Sequence, residues 1–285
     1  MYNDVVLMDG GVGTSLWEKI PEGEEKVLVW RYNMEKPDIV RELHQEMLDA
    51  GAQIILANTF GANQTNMRGT DYTPAQAVTE AMKIAHEVIG NKAKIALAVG
   101  PLTGLLKPYG TITEQDAYDY FSEQIGAGAA GKPDLIYCQT FMDIAMMRIA
   151  AKVARQYDIP FFCSFTFDKK NRTMMGNTVQ NILDGMAEFH PDAIGLNCSF
   201  GPDQALPIIE EFSQKTDIPL ILKPNAGKLT VDENGKEKIG FGIEVFSDDV
   251  LKALPLGVKY IGGCCGANAA YIRRLGEKLK AVQEK

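Results

Sequence analysis

The stretch Val5-Val-Leu-Met-Asp9-Gly10-Gly-Val-Gly-Thr14 decides between the two folds this sequence allows. It reads as a short β-strand running into an acid and a glycine-rich turn. In a doubly wound open sheet the first such turn carries Gly-x-Gly-x-x-Gly, set for a dinucleotide pyrophosphate. Asp9-Gly10-Gly11-Val12-Gly13 lacks that order, so the open sheet is the weaker reading. Further β-rich runs follow at Ile54–Asn58, Ile95–Val99, Asp134–Cys138, Phe161–Phe165, Ala193–Asn197, Leu220–Lys223 and Tyr260–Gly263. Helical patterns alternate with them at 37–49, 74–89, from 113, 143–157, 178–189, 202–215 and 267–282. In the first of these, Ile39, Val40, Leu43, Met47 and Leu48 recur at helical spacing. The alternation predicts an α/β chain forming a single (β/α)8 TIM barrel, one domain over residues 1–285.

Composition narrows the function. The formal net charge is -8 and no basic stripe is present, which argues against nucleic acid and anionic membranes as partners. No apolar run approaches the ~18 residues of a membrane span. Met1-Tyr-Asn-Asp4 lacks the basic start and apolar run of a signal peptide. Five cysteines, an odd number in a long chain, fit a reducing cytoplasm with buried or metal-bound thiols better than a disulfide framework.

The barrel reading places chemistry at the C-terminal ends of the strands. Asp9-Gly-Gly, Asn58-Thr59, Gly100-Pro101, Gln139-Thr140, Asn197-Cys198, Pro224-Asn225 and Gly263-Cys264-Cys265 all fall there. Cys264 and Cys265 are poor disulfide partners, because adjacent Cα atoms lie ~3.8 Å apart, below the ~4.4 Å limit. With Cys198 they form three thiols on one rim. Three thiolates can hold zinc and leave a tetrahedral position open; the alternative is a set of small buried core residues. Cys138 and Cys163 lie within strands and read as core. His44 reads as a hydrogen-bonded packing residue rather than a catalyst, and Met142, Met146 and Met147 as core and pocket filling.

Gly-Leu-Asn-Cys (195–198), Gly-Gly-Cys-Cys-Gly (262–266), Asp-Gly-Gly-Val-Gly-Thr (9–14) and Ala-Asn-Thr-Phe-Gly-Ala (57–62) together resemble the homocysteine S-methyltransferase family, in order and over essentially the whole chain. Cys198-Ser-Phe-Gly-Pro202 and Pro224-Asn-Ala-Gly-Lys228 are most similar to the homocysteine-binding barrel of cobalamin-dependent methionine synthase. The resemblance implies a thiol S-methyltransferase with Zn2+ on Cys198, Cys264 and Cys265, taking the substrate thiol at the open position. Asn225 is implied as a displaceable fourth ligand, or else is a turn former after Pro224. Asp9, with the amides of Gly10 and Gly11, is implied to grip the amino-acid end of the substrate. Asn58 and Thr59 either touch substrate or support the rim.

The chain departs from the family pattern after its fourth strand. Where the family reads Glu-Thr and then a second Glu, this sequence has Gln139 and Met146. Hydrogen bonds to a charged group contribute ~1.5–3 kcal/mol against ~0.5–1.5 for neutral ones, so Gln139 should cost about tenfold in affinity for an ammonium-bearing thiol. Nothing in the sequence resembles the folate- or cobalamin-binding modules, so the methyl group is expected from another molecule. Methylcobalamin on a separate corrinoid protein and a small methyl compound are the two candidates. The leading expectation is conversion of homocysteine to methionine. The alternatives are methylation of a thiol lacking the α-amine, or a non-catalytic zinc and thiol module docking on a corrinoid protein.

Overall fold

The apolar runs form strands because each is buried on both faces, one against the barrel interior and one against helices. In the computed structural model, which describes residues 2–227, 230–231, 237–238 and 240–284, these are β1 (Val6–Leu7), β2 (Ile54–Leu56), β3 (Lys94–Val99), β4 (Leu135–Phe141), β5 (Phe161–Phe165), β6 (Ala193–Asn197) and β7 (Leu220–Lys223). A separate antiparallel pair follows, β8 (Thr230–Val231) and β9 (Glu237–Lys238), before the last barrel strand, β10 (Val258–Ile261). The barrel order is β1-β10-β7-β6-β5-β4-β3-β2. A parallel bridge from Met8 to Ile54 joins the two ends. The fold is therefore a (β/α)8 barrel of eight parallel strands, as the strand count predicts.

Ten helices lie among the described residues: α1 (Val12–Glu18), α2 (Tyr32–Glu35), α3 (Pro37–Asp49), α4 (Pro74–Ile89), α5 (Glu114–Ala130), α6 (Ile144–Ala154), α7 (Val179–Met186), α8 (Pro202–Ser213), α9 (Ile243–Leu251) and α10 (Ala269–Gln283). Capping boxes start three of them, pairing Thr73 with Gln76, Thr113 with Asp116, and Thr178 with Asn181. Proline opens α3, α4 and α8 at positions where no amide partner is needed. Helices α1, α2 and α9 have no counterpart in the sequence reading, which expects an irregular stretch over 21–36. All three are short and lack a capping side chain, and α1 and α9 begin at glycines. At the far end of α10, Gln283 Nε2 donates to the Tyr2 carbonyl at 2.9 Å. No helix among the described residues is long and apolar enough to cross a membrane.

Side chains alternate in and out along each strand. Met8, Leu56, Ala98, Tyr137, Phe162 and Ile221 belong to the inner cluster that fills the barrel. The same alternation points Gln139, Asn197 and Lys223 inward at the C-terminal mouth. Cys138 and Cys163 are in register on β4 and β5 and fully buried in the outer core, toward the helices.

Candidate active site

Immediately after β6, Cys198 adopts a left-handed backbone with φ 53°. Such strain costs of order 1–3 kcal/mol outside glycine and concentrates at functional positions. The Cys198 amide donates to the Lys223 carbonyl at 3.2 Å. After β10 the chain turns through Cys264 and Cys265, with the Cys264 amide on the Pro224 carbonyl (2.8 Å) and the Ala226 amide on the Cys265 carbonyl (3.0 Å). The loop bearing Asn225 is thereby fastened to the cysteine turn. The turn after β1 lies against the other side. A Cβ on Gly10 would sit 1.9 Å from the Ala267 oxygen, and one on Gly11 2.4 Å from the Cys264 oxygen, so only glycine permits this approach.

The result is three sulfurs within 4.8 Å of one another, with Cys198 Sγ and Cys265 Sγ 3.3 Å apart. They share protons unequally. Cys265 is lowered to about 3 by hydrogen bonds with Cys198 and then Cys264. Cys264 is raised well above the usual thiol value by its contacts with Cys198 and Cys265 and by burial. Cys198 is pulled down by Cys264, but its contact with Cys265 and its burial leave it raised, to about 12. One thiolate is stable in this cluster and a second or third is opposed by its neighbours. A divalent cation among the sulfurs removes that opposition, since coordination deprotonates a thiol outright. Thiolate donors of this kind suit zinc. A further observation fits a metal: Asn225 Oδ1 is buried and has no hydrogen-bond partner among the described residues.

Asn197, which the sequence places on the rim without a role, organises the surroundings. Its Oδ1 accepts from the Thr140 amide (2.8 Å) and the Ser164 hydroxyl (2.6 Å), while its Nδ2 donates to Thr140 Oγ1 (2.7 Å) and faces Cys264 Sγ at 3.7 Å. Thr140 also has a positive φ, 65°, at the bulge where β4 and β5 lose register. One buried amide therefore fixes both irregular turns and touches a sulfur.

A cavity of about 320 Å³ opens over the cysteines, lined by Val12, Val29, Trp30 and Phe60 and, among polar side chains, by Gln139 and Lys223. Gln139 makes no side-chain hydrogen bond among the described residues and is 9% exposed. Asn58 also lines the cavity, but its Nδ2 is committed to the Val29 carbonyl (2.7 Å) and Asn33 Oδ1 (2.9 Å). Thr59 is fully buried, its hydroxyl on the Ala98 carbonyl at 2.7 Å. Thr59 therefore supports the rim, while Asn58 supports it through Nδ2 and also lines the cavity.

Asp9 departs from its expected role. Its carboxylate is fully buried, with Oδ2 accepting from the Leu56 amide at 2.8 Å and Oδ1 paired with Lys223 Nζ at 2.5 Å. The expectation treats the substrate as the one cation in reach, whereas this chain supplies its own. The Gly11 amide is likewise used, donating to the Ala267 carbonyl at 2.9 Å. The inward alternation Ile221, Lys223 along β7 was the signal that could have found Lys223.

His44 lies outside the cavity. It is buried, but neither ring nitrogen has the expected hydrogen bond among the described residues, and desolvation lowers its pKa to about 4. Met146 and Met147 pack in the outer core, and none of the three methionines lines the cavity.

The fold resembles that of the homocysteine methyltransferase MmuM from Escherichia coli. Its oxidized form superposes with a TM-score of 0.82 at 18% identity, covering 97% of this chain and 96% of that one. Its metallated form gives 0.80 at 20% identity with the same coverage. The methionine synthase of Mycobacterium tuberculosis is 26% identical over 308 residues, covering 98% of this chain and 25% of that protein. That of Mycobacterium leprae is 25% identical over 300 residues, covering 95% of this chain and 24% of that protein. The chain thus spans about a quarter of the length of these curated relatives. The sequence model described as homocysteine S-methyltransferase matches residues 6–279, nearly the whole barrel. This chain belongs to the homocysteine S-methyltransferase family.

Proposed function

We propose that the chain is a methyltransferase of class EC 2.1.1, acting as one barrel domain that moves a methyl group onto the sulfur of a small thiol. Homocysteine, giving methionine, is the acceptor that its family points to. The observation that carries this reading is the sulfur trio at the floor of a cavity sized for a small metabolite. Zinc would be held by Cys198, Cys264 and Cys265, with Asn225 Oδ1 as a displaceable fourth ligand. Bound there, it supplies a Lewis acid that keeps a thiol deprotonated at neutral pH, where a free thiol with pKa ~8.5 is mostly protonated.

The chain's own residues do the positioning. Asn197 holds Cys264 and the Thr140 turn in place, while Val12, Val29, Trp30 and Phe60 wall the cavity and exclude water from the sulfur. In the transfer, a sulfur–carbon bond forms as the bond from methyl to donor breaks, and its electron pair stays with the donor. The acceptor's thiol proton has already left to solvent. The donor is a second molecule entering by the same mouth, methylcobalamin on a corrinoid protein or a small methyl compound. Five free cysteines support a reducing, cytoplasmic setting. A thiol without an α-amine is a second reading, favoured by Gln139 and by the Asp9–Lys223 pair.

The test is metal content together with single-turnover methylation of homocysteine by methylcobalamin. We expect one zinc per chain, falling below about a tenth in Cys198→Ser, Cys264→Ser or Cys265→Ser, and methyl transfer falling with it. Cys138→Ser should keep both. A wild-type protein that retains no stoichiometric zinc after loading would sink the metal assignment.

A further inference from the structure

The charges around the cavity are unequal. Among the described residues no Asp or Glu side chain lines it, and Lys223 is the one lysine or arginine that does. Lys223 is 2% exposed at its side chain, and Asp9, its partner, is fully buried. An ammonium has three donors; among the described residues its hydrogen-bond acceptor is Asp9 Oδ1. The other carboxylate oxygen of Asp9 is occupied by the Leu56 amide. A substrate ammonium entering here would find no free carboxylate, and would face the ammonium end of the Lys223–Asp9 pair. Gln139, like Asn58 and Asn66 in the same lining, offers a carbonyl oxygen but no charge. A substrate carboxylate meets the reverse situation, with a buried ammonium whose remaining donors suit it.

We propose that Lys223 selects the acceptor: its ammonium neutralises Asp9 and is the member of the pair that lines the cavity, so the thiol this site prefers has an anionic end group and no ammonium. The proposal rests on the thiol-methylation reading and narrows its substrate class. Lys223 is a specificity-determining residue in this account, and Asp9 holds it in place. The pair also explains why an acid at the end of β1 is fully buried: without Lys223 it would be an uncompensated charge.

The test measures equilibrium binding to zinc-loaded protein under reducing conditions, with three thiols of equal chain length. These are 4-mercaptobutyrate (anionic), 4-mercaptobutanol (neutral) and homocysteine (the same carboxylate with an added ammonium). Wild type should bind 4-mercaptobutyrate at least about tenfold more tightly than either other thiol, the scale expected for one charged hydrogen bond. Lys223→Gln keeps a donor but removes the charge. It should bring 4-mercaptobutyrate to within about threefold of 4-mercaptobutanol, and should strengthen homocysteine binding because Asp9 is released. Should the lone Asp9 carboxylate unfold that variant, the double change Asp9→Asn with Lys223→Gln leaves no buried charge, and must equally abolish the anionic preference. Homocysteine binding to wild type as tightly as 4-mercaptobutyrate overturns the proposal while leaving thiol methylation standing. So does an anionic preference that survives in both variants. If none of the three thiols binds, the thiol reading itself fails and the proposal falls with it.

Discussion

Asn197 shows how one side chain can serve several irregular turns. It joins the Thr140 amide and hydroxyl, Ser164 and Cys264, and its replacement strands partners that are buried beside it. Asn197→Leu, close in volume, should cost about 2–4 kcal/mol by urea denaturation, since unmet buried groups cost about 1–3 kcal/mol each. The same variant should bind zinc more weakly, because Cys264 loses its neighbouring amide. His44 gives a second expectation, in pH. Its ordinary value of 6.5 is lowered to about 4 in the folded chain by desolvation, so the unfolded chain takes up the proton first. The stability this group contributes is complete above about pH 6.5 and is lost as pH falls toward about 4. From pH 7.5 to pH 5 the loss from this residue should be about 2 kcal/mol. His44→Leu should flatten that part of the urea-midpoint profile. A profile equally steep with and without His44 would assign the acid sensitivity elsewhere.

At the level of elements, the strands were legible because buried parallel strands are nearly continuous apolar runs, as in Ile54-Ile-Leu56 and Leu220-Ile-Leu222. Helices with a proline or a threonine cap at their start were legible too. Helix α1 was not, since Val12-Gly-Thr-Ser-Leu-Trp-Glu18 is two turns long and follows directly on Gly10-Gly11 without a capping side chain. Nor was α9, where Phe246 and Val250 give a single buried repeat beside Asp248 and Asp249. The cysteine trio could be placed from the strand ends alone. The Asp9–Lys223 pair could not, because it joins residues 214 positions apart and depends on how the barrel closes. The capping boxes yield a local prediction. Thr113→Ala, which removes the two bonds its hydroxyl makes with the Asp116 carboxylate and amide, should cost about 1 kcal/mol and lower Tm by about 2 °C, without changing zinc content.

Over the whole molecule, the sulfur cluster sits on a barrel that already has its own core. It bridges turns 67 residues apart in sequence, so metal should stabilise the chain without being required for folding. Chelation should lower Tm while leaving the far-UV circular dichroism at 25 °C unchanged. A free metal concentration a thousand times Kd would contribute about 4 kcal/mol. In Cys198→Ser the chelator should shift nothing. The contact between Gln283 and the Tyr2 carbonyl has a practical consequence. Tyr2 precedes β1 and Gln283 ends α10, so these two residues lie at the strand-entry face, while the cysteines occupy the strand-exit face. A surface anchor or fluorophore attached beside Tyr2 or Gln283 would hold the barrel by its base and leave its mouth facing solvent. An immobilised sample should therefore bind thiols as the free protein does.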